Sequence, residues 1–189
     1  MKMGSPGFRV HLKAPGPGDA EEIARNANDY DIAHDVASSG DFPYPYRLED
    51  AKAFIDMAVN ARVSGSAHHF VICLDDDKAI GACGLFNIDS KNRVCEIGYW
   101  LGKAHWGKGY AKEAVSLLLQ FGFGELKLNR IEAHTFATNE RSAGLLQSIG
   151  FRNEGTLRSS VIQEGRFVDN MLFSILCTEY KSIPIEIGE

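Results

Sequence analysis

Signals of several protein classes are missing from this sequence. It has only four cysteines in 189 residues, none forms a C-x-x-C pair, and each lies in an apolar, strand-like run. That pattern predicts reduced core thiols and argues against a zinc site or a disulfide framework. No apolar run approaches the ~18 residues of a membrane helix, and the start, MKMGSPGFRV, lacks the apolar centre of a signal peptide. We therefore expect a cytoplasmic protein without a metal ion or a membrane segment.

A surplus of positive charge is also missing. The formal net charge is −5, which argues against a general nucleic-acid binder, since such proteins usually present a basic face. The hydrophobic fraction of 44% and the charged fraction of 24% are ordinary for a globular protein. Length and composition predict a single domain over residues 1–189, with a core from about residue 8 to residue 176. We expect the tail from residue 182 onward to be loosely held.

The pattern of apolar residues predicts an α/β domain with a mixed, mostly antiparallel sheet. Alternation marks the strands, and apolar residues at helical spacing mark the helices. Asp19, with Glu22 three residues later, resembles a capping box at the first helix, and a loop is predicted at 38–41. The predicted strands are 8–13, 69–74, 79–86, 94–101, 130–136, 153–162 and 166–176, and the predicted helices are 19–28, a second ending at 36, 49–62, 110–123 and 139–150.

The most informative stretch is EIGYWLGKAHWGKGYAKEA, from Glu96 to Ala114. It begins as a strand in which Gly98 predicts a bulge or a close backbone approach. A turn with three glycines, Gly102, Gly107 and Gly109, leads into a helix. The free N–H groups and the positive dipole end of a helix start attract anions, and glycines let a phosphate approach the backbone. The stretch therefore predicts a phosphate-binding turn, and an ordinary glycine-rich turn is the alternative.

Two common nucleotide motifs fail at this turn. GKAHWGKG nearly matches a P-loop, but Gly109 stands where Ser or Thr must hold magnesium. The dinucleotide fingerprint G-x-G-x-x-G fails because Lys112 occupies its last position. No G-x-S-x-G elbow or Ser-His-Asp order supports a hydrolase. A P-loop nucleotide enzyme therefore stays only as an alternative, which magnesium-dependent ATP binding would revive.

The turn resembles the pyrophosphate loop of the GNAT superfamily of N-acetyltransferases, usually written Q/R-x-x-G-x-G/A. Trp106 takes the Q/R place, but EIGYWL followed by WGKGYAKEA is similar to the branch of ribosomal-protein N-terminal acetyltransferases, where that departure is common. The resemblance covers roughly residues 8 to 176. It implies the GNAT fold, with a sheet that splays between the central strand and the strand after it.

The resemblance also implies how acetyl-CoA, the co-substrate, is bound. In the branch, the Asn of an N-x-x-S pattern bonds the pantetheine arm and the Ser is proposed to protonate the leaving thiolate; Asn139 and Ser142 match, although Asn139 also suits a helix cap. Main-chain groups at the central-strand bulge stabilise the thioester oxygen, which here implies Trp100 and Leu101. The pyrophosphate-loop positions are Trp106, Gly107, Lys108, Gly109, Tyr110 and Ala111.

Acyl transfer to an amine also needs a base, because amines are protonated at neutral pH. Glu96 on the central strand is the first candidate, acting directly or through water. Tyr99, His134 and His69 are weaker candidates, and a sheet-surface role for Glu96 stays open. Three lysines, Lys103, Lys108 and Lys112, are candidates for contact with the nucleotide phosphates or are simply solvated.

The segment FPYPY is a proline-stiffened aromatic stretch and predicts one wall of the acceptor site, through Phe42, Tyr44 and Tyr46. A linker packed by its own rings is the alternative. We expect a direct attack of a primary amine on acetyl-CoA in a ternary complex, with a protein N-terminus as the acceptor. A small amine such as a polyamine, amino acid or antibiotic is the alternative, as is an acyl-CoA-binding regulator without turnover. Homodimer formation and the use of longer acyl-CoAs stay open.

Overall fold

The structure is a computed structural model that describes residues 1–36 and 42–181, together with the backbone of 186–188. The predicted loop at 38–41 lies outside the described residues. The strands are β1 Lys2–Gly4, β2 His11–Lys13, β3 His68–Cys73, β4 Ala79–Asp89, β5 Val94–Leu101, β6 Arg130–Phe136, β7 Arg152–Gln163, β8 Arg166–Leu176 and β9 Glu186–Gly188. The helices are α1 Ala20–Ala27, α2 Tyr30–Val36, α3 Leu48–Ser64, α4 Tyr110–Gly124 and α5 Glu140–Ile149, with short 3-10 turns at Pro17–Asp19 and Lys103–His105.

These strands form one sheet in the order β7-β8-β6-β5-β4-β3-β2-β1-β9 among the described residues. Every neighbouring pair is antiparallel except β5 and β6, which are parallel. The helix α4 makes the connection between these two strands, as a parallel pair requires. The predicted α/β class with a mixed, mostly antiparallel sheet is confirmed.

The sheet opens between β5 and β6. Their parallel ladder contains three pairs, from Val94–Arg130 to Glu96–Glu132. Beyond that point β6 stays paired with β8 through Phe136, and β5 stays paired with β4 through Leu101. The two strands therefore diverge after Glu96, which is the splay that the family resemblance implies.

Helices cover both faces of the sheet. A large core lies between the sheet and α4 and includes Leu118 and Ile97. A smaller core on the opposite face packs α1 and α3 against β3 and includes Ile23 and Ile55. Alternation along β5 therefore turns its odd-numbered side chains toward α4 and its even-numbered side chains toward α1 and α3. None of the helices in the described part of the chain is long and apolar enough to cross a membrane.

Two strands at the chain ends differ from prediction. β1 was not predicted, and β9 pairs with it at Met3–Ile187, so the expectation of a loosely held tail is wrong for 186–188. Both are three residues long and form through pairing with distant segments, which leaves no alternation to detect in the sequence. β2 is also shorter than the predicted strand at 8–13.

The expected capping box at Asp19 is not formed. The Asp19 carboxylate accepts hydrogen bonds from the Gly16 N–H at 2.9 Å and from the Lys13 ammonium at 2.8 Å. Glu22 instead pairs with Arg25 on the surface of α1. The Asp19 carboxylate, for which the sequence spacing predicts a helix cap, therefore closes the turn that precedes α1 instead.

Candidate active site

A cleft of about 350 Å³ opens where β5 and β6 diverge. It is lined by the end of β5, the glycine-rich turn, the first turn of α4, the open part of β6 and the start of α5. Most of the predicted site residues meet there: Glu96, Tyr99, Trp100, Leu101, Trp106, Gly107, Gly109, Tyr110, Ala111, Lys112, His134, Asn139 and Ser142. Lys108 belongs to the same turn but does not line the cleft among the described residues.

The glycine-rich turn presents backbone N–H groups to the cleft. Gly107 and Gly109 have positive φ angles of 72° and 82°, which glycine adopts without strain. Gly109 is the N-cap of α4 and, lacking a side chain, leaves the first N–H groups of the helix uncapped. The first intrahelical bond there runs from the Glu113 N–H to the Gly109 carbonyl at 3.2 Å. The amides of Tyr110, Ala111 and Lys112 are thus available to an anion.

Arg9, which no sequence motif singles out, braces this turn. Its guanidinium donates to the Lys108 carbonyl at 2.8 Å and to the Glu113 carboxylate at 2.9 Å through Nε. The same carboxylate accepts the Arg9 backbone N–H at 2.7 Å. The hydrogen bond to Glu113 is the main reason that the pKa of Arg9 is raised. Arg9 also lies over the Tyr110 ring, 4.9 Å from its centroid.

Trp106 closes the other side of the turn. Its indole N–H donates to the Leu101 carbonyl at 2.7 Å, which ties the turn to the end of β5. The guanidinium carbon of Arg141 lies 3.5 Å from the centroid of the Trp106 ring, and Arg141 also pairs with Asp35 on α2 at 2.6 Å. Arg141 therefore connects α5, the turn and α2 across the cleft, a role that no sequence pattern indicated.

The register of β5 decides which main-chain groups face the cleft. The β4–β5 ladder runs without a shift from Gly81–Leu101 to Phe86–Glu96, and the Gly102 N–H donates to the Ile80 carbonyl at 2.9 Å. Backbone groups alternate in direction along an antiparallel ladder, so those of Trp100 point to β4 and those of Leu101 point to the cleft. Of the two predicted main-chain donors, only Leu101 therefore faces the cleft.

The structure places no bulge at Gly98 in this ladder, where Gly98 is directly opposite Gly84. The register shift between these strands lies between Phe86 and Asp89 instead. A side chain rather than the backbone crowds Gly98, because a Cβ there would come within 3.0 Å of Cε1 of the Phe86 ring.

Ser142 and Tyr99 meet in the cleft. Their hydroxyl oxygens are 2.9 Å apart. Burial raises the pKa of Tyr99 to about 12, so its hydroxyl keeps its proton at neutral pH. Asn139 is the N-cap of α5 and accepts the Ser142 N–H at 3.0 Å through Oδ1. The capping reading of Asn139 is therefore correct, and the side-chain nitrogen donates to no group among the described residues, which leaves it free for a ligand.

Glu96 lies at the last paired position before the splay, on the face of β5 opposite that of Tyr99. Its carboxylate accepts a hydrogen bond from the Asn87 side chain at 2.9 Å. His134 also lines the cleft, with Nδ1 3.5 Å from the Asn170 side-chain nitrogen. At the open end of β5, the structure therefore places the Glu96 carboxylate on one face and the Tyr99–Ser142 hydroxyl pair on the other.

A second cavity, of about 450 Å³, lies on the α1 and α3 face of the sheet. Phe42, Tyr46 and His69 line it, so two of the three predicted wall aromatics and one weaker base candidate are there. Tyr44 differs from the prediction, because its ring packs edge-on against Tyr30 at 5.7 Å, it is 56% exposed, and it lines neither cavity. Proline stiffness sets the backbone of the segment, but the direction of each ring depends on its tertiary neighbours.

Lys103, a candidate for phosphate contact, also lies outside the cleft. Its ammonium pairs with Asp31 on α2 and lies 4.0 Å from Asp29, so it is engaged outside the cleft. In the described part of the chain, no group of three or more His, Cys, Asp or Glu side chains is arranged to hold a metal ion.

A sheet that splays beside an uncapped, glycine-rich helix start forms a cleft suited to a phosphate-bearing co-substrate, as in an acyl-CoA-dependent transferase. The chain belongs to the GNAT acetyltransferase family, since residues 9–152 match the model described as "Acetyltransferase (GNAT) domain". The predicted family, fold and enzyme class are confirmed.

Individual relatives give the same result. The chain is 43% identical over 134 residues to the uncharacterized N-acetyltransferase p20 of Bacillus licheniformis, covering 70% of this chain and 75% of that protein. It is 28% identical over 118 residues to the ribosomal protein uS5-alanine N-acetyltransferase of Escherichia coli (strain K12), covering 61% of each. The structure of Mycobacterium smegmatis RimJ in complex with CoA-disulfide matches with a TM-score of 0.85 at 24% identity, covering 97% of this chain and 89% of that chain. At that identity the last comparison shows the fold alone.

Proposed function

We propose that the protein transfers the acetyl group of acetyl-CoA to the N-terminal amine of a protein or peptide, by direct attack in a ternary complex. The observation that carries the proposal is the single cleft in which the uncapped start of α4 and the Tyr99–Ser142 hydroxyl pair both lie. The helix start suits the pyrophosphate of CoA, and the hydroxyl pair suits the thiol at the end of its pantetheine arm.

The residues of the turn fit this co-substrate. Its pyrophosphate would lie on the backbone amides from Gly107 to Ala111, and a Cβ at Gly107 would point into open space. Asn139 would bond the pantetheine arm through its side-chain nitrogen. The Leu101 N–H would donate to the thioester oxygen as negative charge develops there.

The chemistry is divided between the two faces of β5. Glu96, on the α1 and α3 face, would accept a proton from the incoming ammonium, directly or through water. The neutral amine then attacks the thioester carbon, the C–S bond breaks, and CoA leaves as a thiolate. Ser142, oriented by Tyr99 from the α4 face, would donate a proton to that sulfur and would be reprotonated by the second proton that the acetylated nitrogen loses. Both hydroxyls are protonated at neutral pH and therefore have a proton to supply.

Two arguments support an N-terminal amine as the acceptor. An α-amine has a pKa of about 7.7–8.0 against about 10.4 for lysine, so a single carboxylate suits it better as a base. The relative from Escherichia coli is named for acetylation of a ribosomal-protein alanine, and this chain shares 28% identity with it.

The test compares kcat/KM for three acceptors, with release of the CoA thiol as the signal. The first is a short peptide with a free N-terminus, the second is the same peptide blocked at its N-terminus but carrying lysine, and the third is spermidine. We expect the free N-terminus to be preferred. Preference for the blocked lysine peptide or for spermidine would reject the N-terminal acceptor, and absence of thiol release with every amine would reject turnover itself.

A further inference from the structure

The second cavity is built from aromatic rings. The Phe42 ring lies 5.0 Å from Tyr46 and 5.9 Å from Trp100, measured between centroids. On the other side, His69 is 5.8 Å from Phe54 and stacks with Phe86 at 6.4 Å. Its volume of about 450 Å³ falls within the range of roughly 300–1,000 Å³ for small-molecule sites.

The cavity exists because the sheet beneath it carries small residues. Ala82, Gly84 and Gly98 all line it, and Gly84 is directly opposite Gly98 in the β4–β5 ladder. A Cβ at Gly84 would come within 2.6 Å of the His69 ring, so the rings lie directly over the glycines. Larger residues at these three positions would fill the space that the rings enclose.

Charge is scarce in this cavity. Among the described residues that line it, Asp50 is the only acidic one, and its carboxylate accepts the Arg47 N–H at 2.7 Å at the start of α3. Burial, with a smaller contribution from Arg62, lowers the pKa of His69, which therefore stays neutral at neutral pH. An apolar group would enter this cavity without leaving a buried charge unpaired.

The cavity adjoins the transfer cleft. Gly98, Tyr99 and Trp100 line both, as do Phe86 and Val36. The cavity lies on the same face of β5 as Glu96, from which the acceptor approaches in the proposed reaction. A molecule whose amine reaches the open end of β5 therefore has its nearest substituent beside the aromatic rings.

We propose that this cavity selects the acceptor, by taking a large apolar side chain carried next to the reacting amine. The inference rests on the proposed function and adds a substrate class to it: peptides that begin with residues such as Phe or Leu, in preference to Ala or Ser. In this proposal, Phe42 and Tyr46 of the aromatic segment contact the side chain of the acceptor.

The experiment measures kcat/KM for matched peptides that differ only in their first residue, which is Phe, Leu, Ala, Ser or Lys. We expect Phe and Leu to exceed Ala by at least about tenfold, the range over which apolar pockets discriminate. Equal values for Phe and Ala would overturn the proposal. A preference for Lys would also overturn it, because the rings would then hold a cation.

Variants on α3 provide a matched pair. Ala53 is exposed and lines the cavity, so Ala53→Trp places a ring in its mouth without displacing the core. It should lower kcat/KM for the Phe peptide more than for the Ala peptide. Lys52→Trp is the control, since Lys52 is the exposed neighbour outside the described lining and its variant should keep the preference. Equal loss for both peptides in Ala53→Trp would contradict the proposal.

A parallel series with 2-phenylethylamine and ethylamine separates this inference from the proposed function. If peptides are inert but the phenyl amine is preferred by about tenfold or more, the N-terminal acceptor is wrong and the cavity assignment stands. If amines and peptides both react without regard to the apolar group, the cavity assignment is wrong.

Discussion

The hydroxyl oxygens of Tyr99 and Ser142 lie 2.9 Å apart although 43 positions separate them in the chain. Tyr99 comes from the open end of β5 and Ser142 from the first turn of α5. Burial keeps the tyrosine protonated, so each hydroxyl can donate to the other or onward to a sulfur. A serine, which is a weak acid by itself, thus gains a partner that orients its proton.

Ser142→Ala should lower kcat with little change in the KM for acetyl-CoA, because in the proposed mechanism the hydroxyl acts on the departing thiolate. General acid groups contribute roughly 100-fold or more, and Tyr99→Phe should give a smaller loss in the same parameter. Ser148→Ala is the control on the same helix, since that hydroxyl bonds only the Leu145 carbonyl among the described residues. Steady-state kinetics that show an unchanged kcat in Ser142→Ala would remove the assignment.

Glu96→Gln should depress kcat/KM most at low pH, where the acceptor amine holds its proton hardest. The deficit should shrink as pH rises through the amine pKa of about 7.7–8.0. Glu132→Gln is the matched control, because Glu132 is the partner of Glu96 across β5 and β6 and its carboxylate is bound by Arg130 at 2.6 Å. A parallel offset of the Glu96→Gln profile at every pH would contradict a role as base.

Gly109→Val should abolish acetyl-CoA binding. The residue has a φ of 82°, and a Cβ there would come within 3.1 Å of the Arg9 guanidinium, so the side chain would distort the turn. Gly7→Val is the control for backbone strain, because Gly7 has the same φ of 82° with no atom near its Cβ position. Calorimetry should show lost affinity in the first variant only, and retained affinity in a folded Gly109→Val protein would reject the phosphate turn.

Arg9→Ala should weaken acetyl-CoA binding a few-fold, because the Lys108 carbonyl and Glu113 lose the guanidinium that holds the turn against α4. The effect should fall on affinity and leave kcat nearly unchanged. Arg25→Ala removes an exposed ion pair with Glu22 on α1 and serves as the control. Equal affinities of wild type and Arg9→Ala would show that the turn holds its shape without the brace.

His69 should make stability depend on pH. Burial lowers its pKa in the folded protein, with Arg62 and His68 adding to the effect. Between the lowered folded pKa and the unfolded value near 6.5 the unfolded chain binds more protons, so stability falls as pH drops below about 6.5. The slope from one such group is at most about 1.4 kcal/mol per pH unit. Urea unfolding should show a shallower slope in His69→Phe, and an identical slope would assign the dependence to other groups.

The sequence by itself determined the strand, turn and helix that form the proposed co-substrate site. The predicted bounds of β5 and β6 agree with the structure, and the start of α4 is at the predicted residue. These features depend on neighbours in the chain: alternation for a strand, glycines for a positive φ, and helical spacing for α4. The family resemblance rests on the same local segment, which is why it predicted the fold and implied the co-substrate together.

Tertiary structure alone decided how distant residues complete the site. Three contacts join segments that are separated in sequence. They are the hydrogen bond between Tyr99 and Ser142, the bond from Arg9 to the glycine-rich turn, and the packing of Tyr44 on Tyr30, which holds Tyr44 away from the cavity. The register of β5, which turns the main-chain groups of Leu101 rather than those of Trp100 to the cleft, follows from its pairing with β4. Such contacts are fixed when two surfaces pack or two strands align, and neither event leaves a periodic trace in the residues themselves.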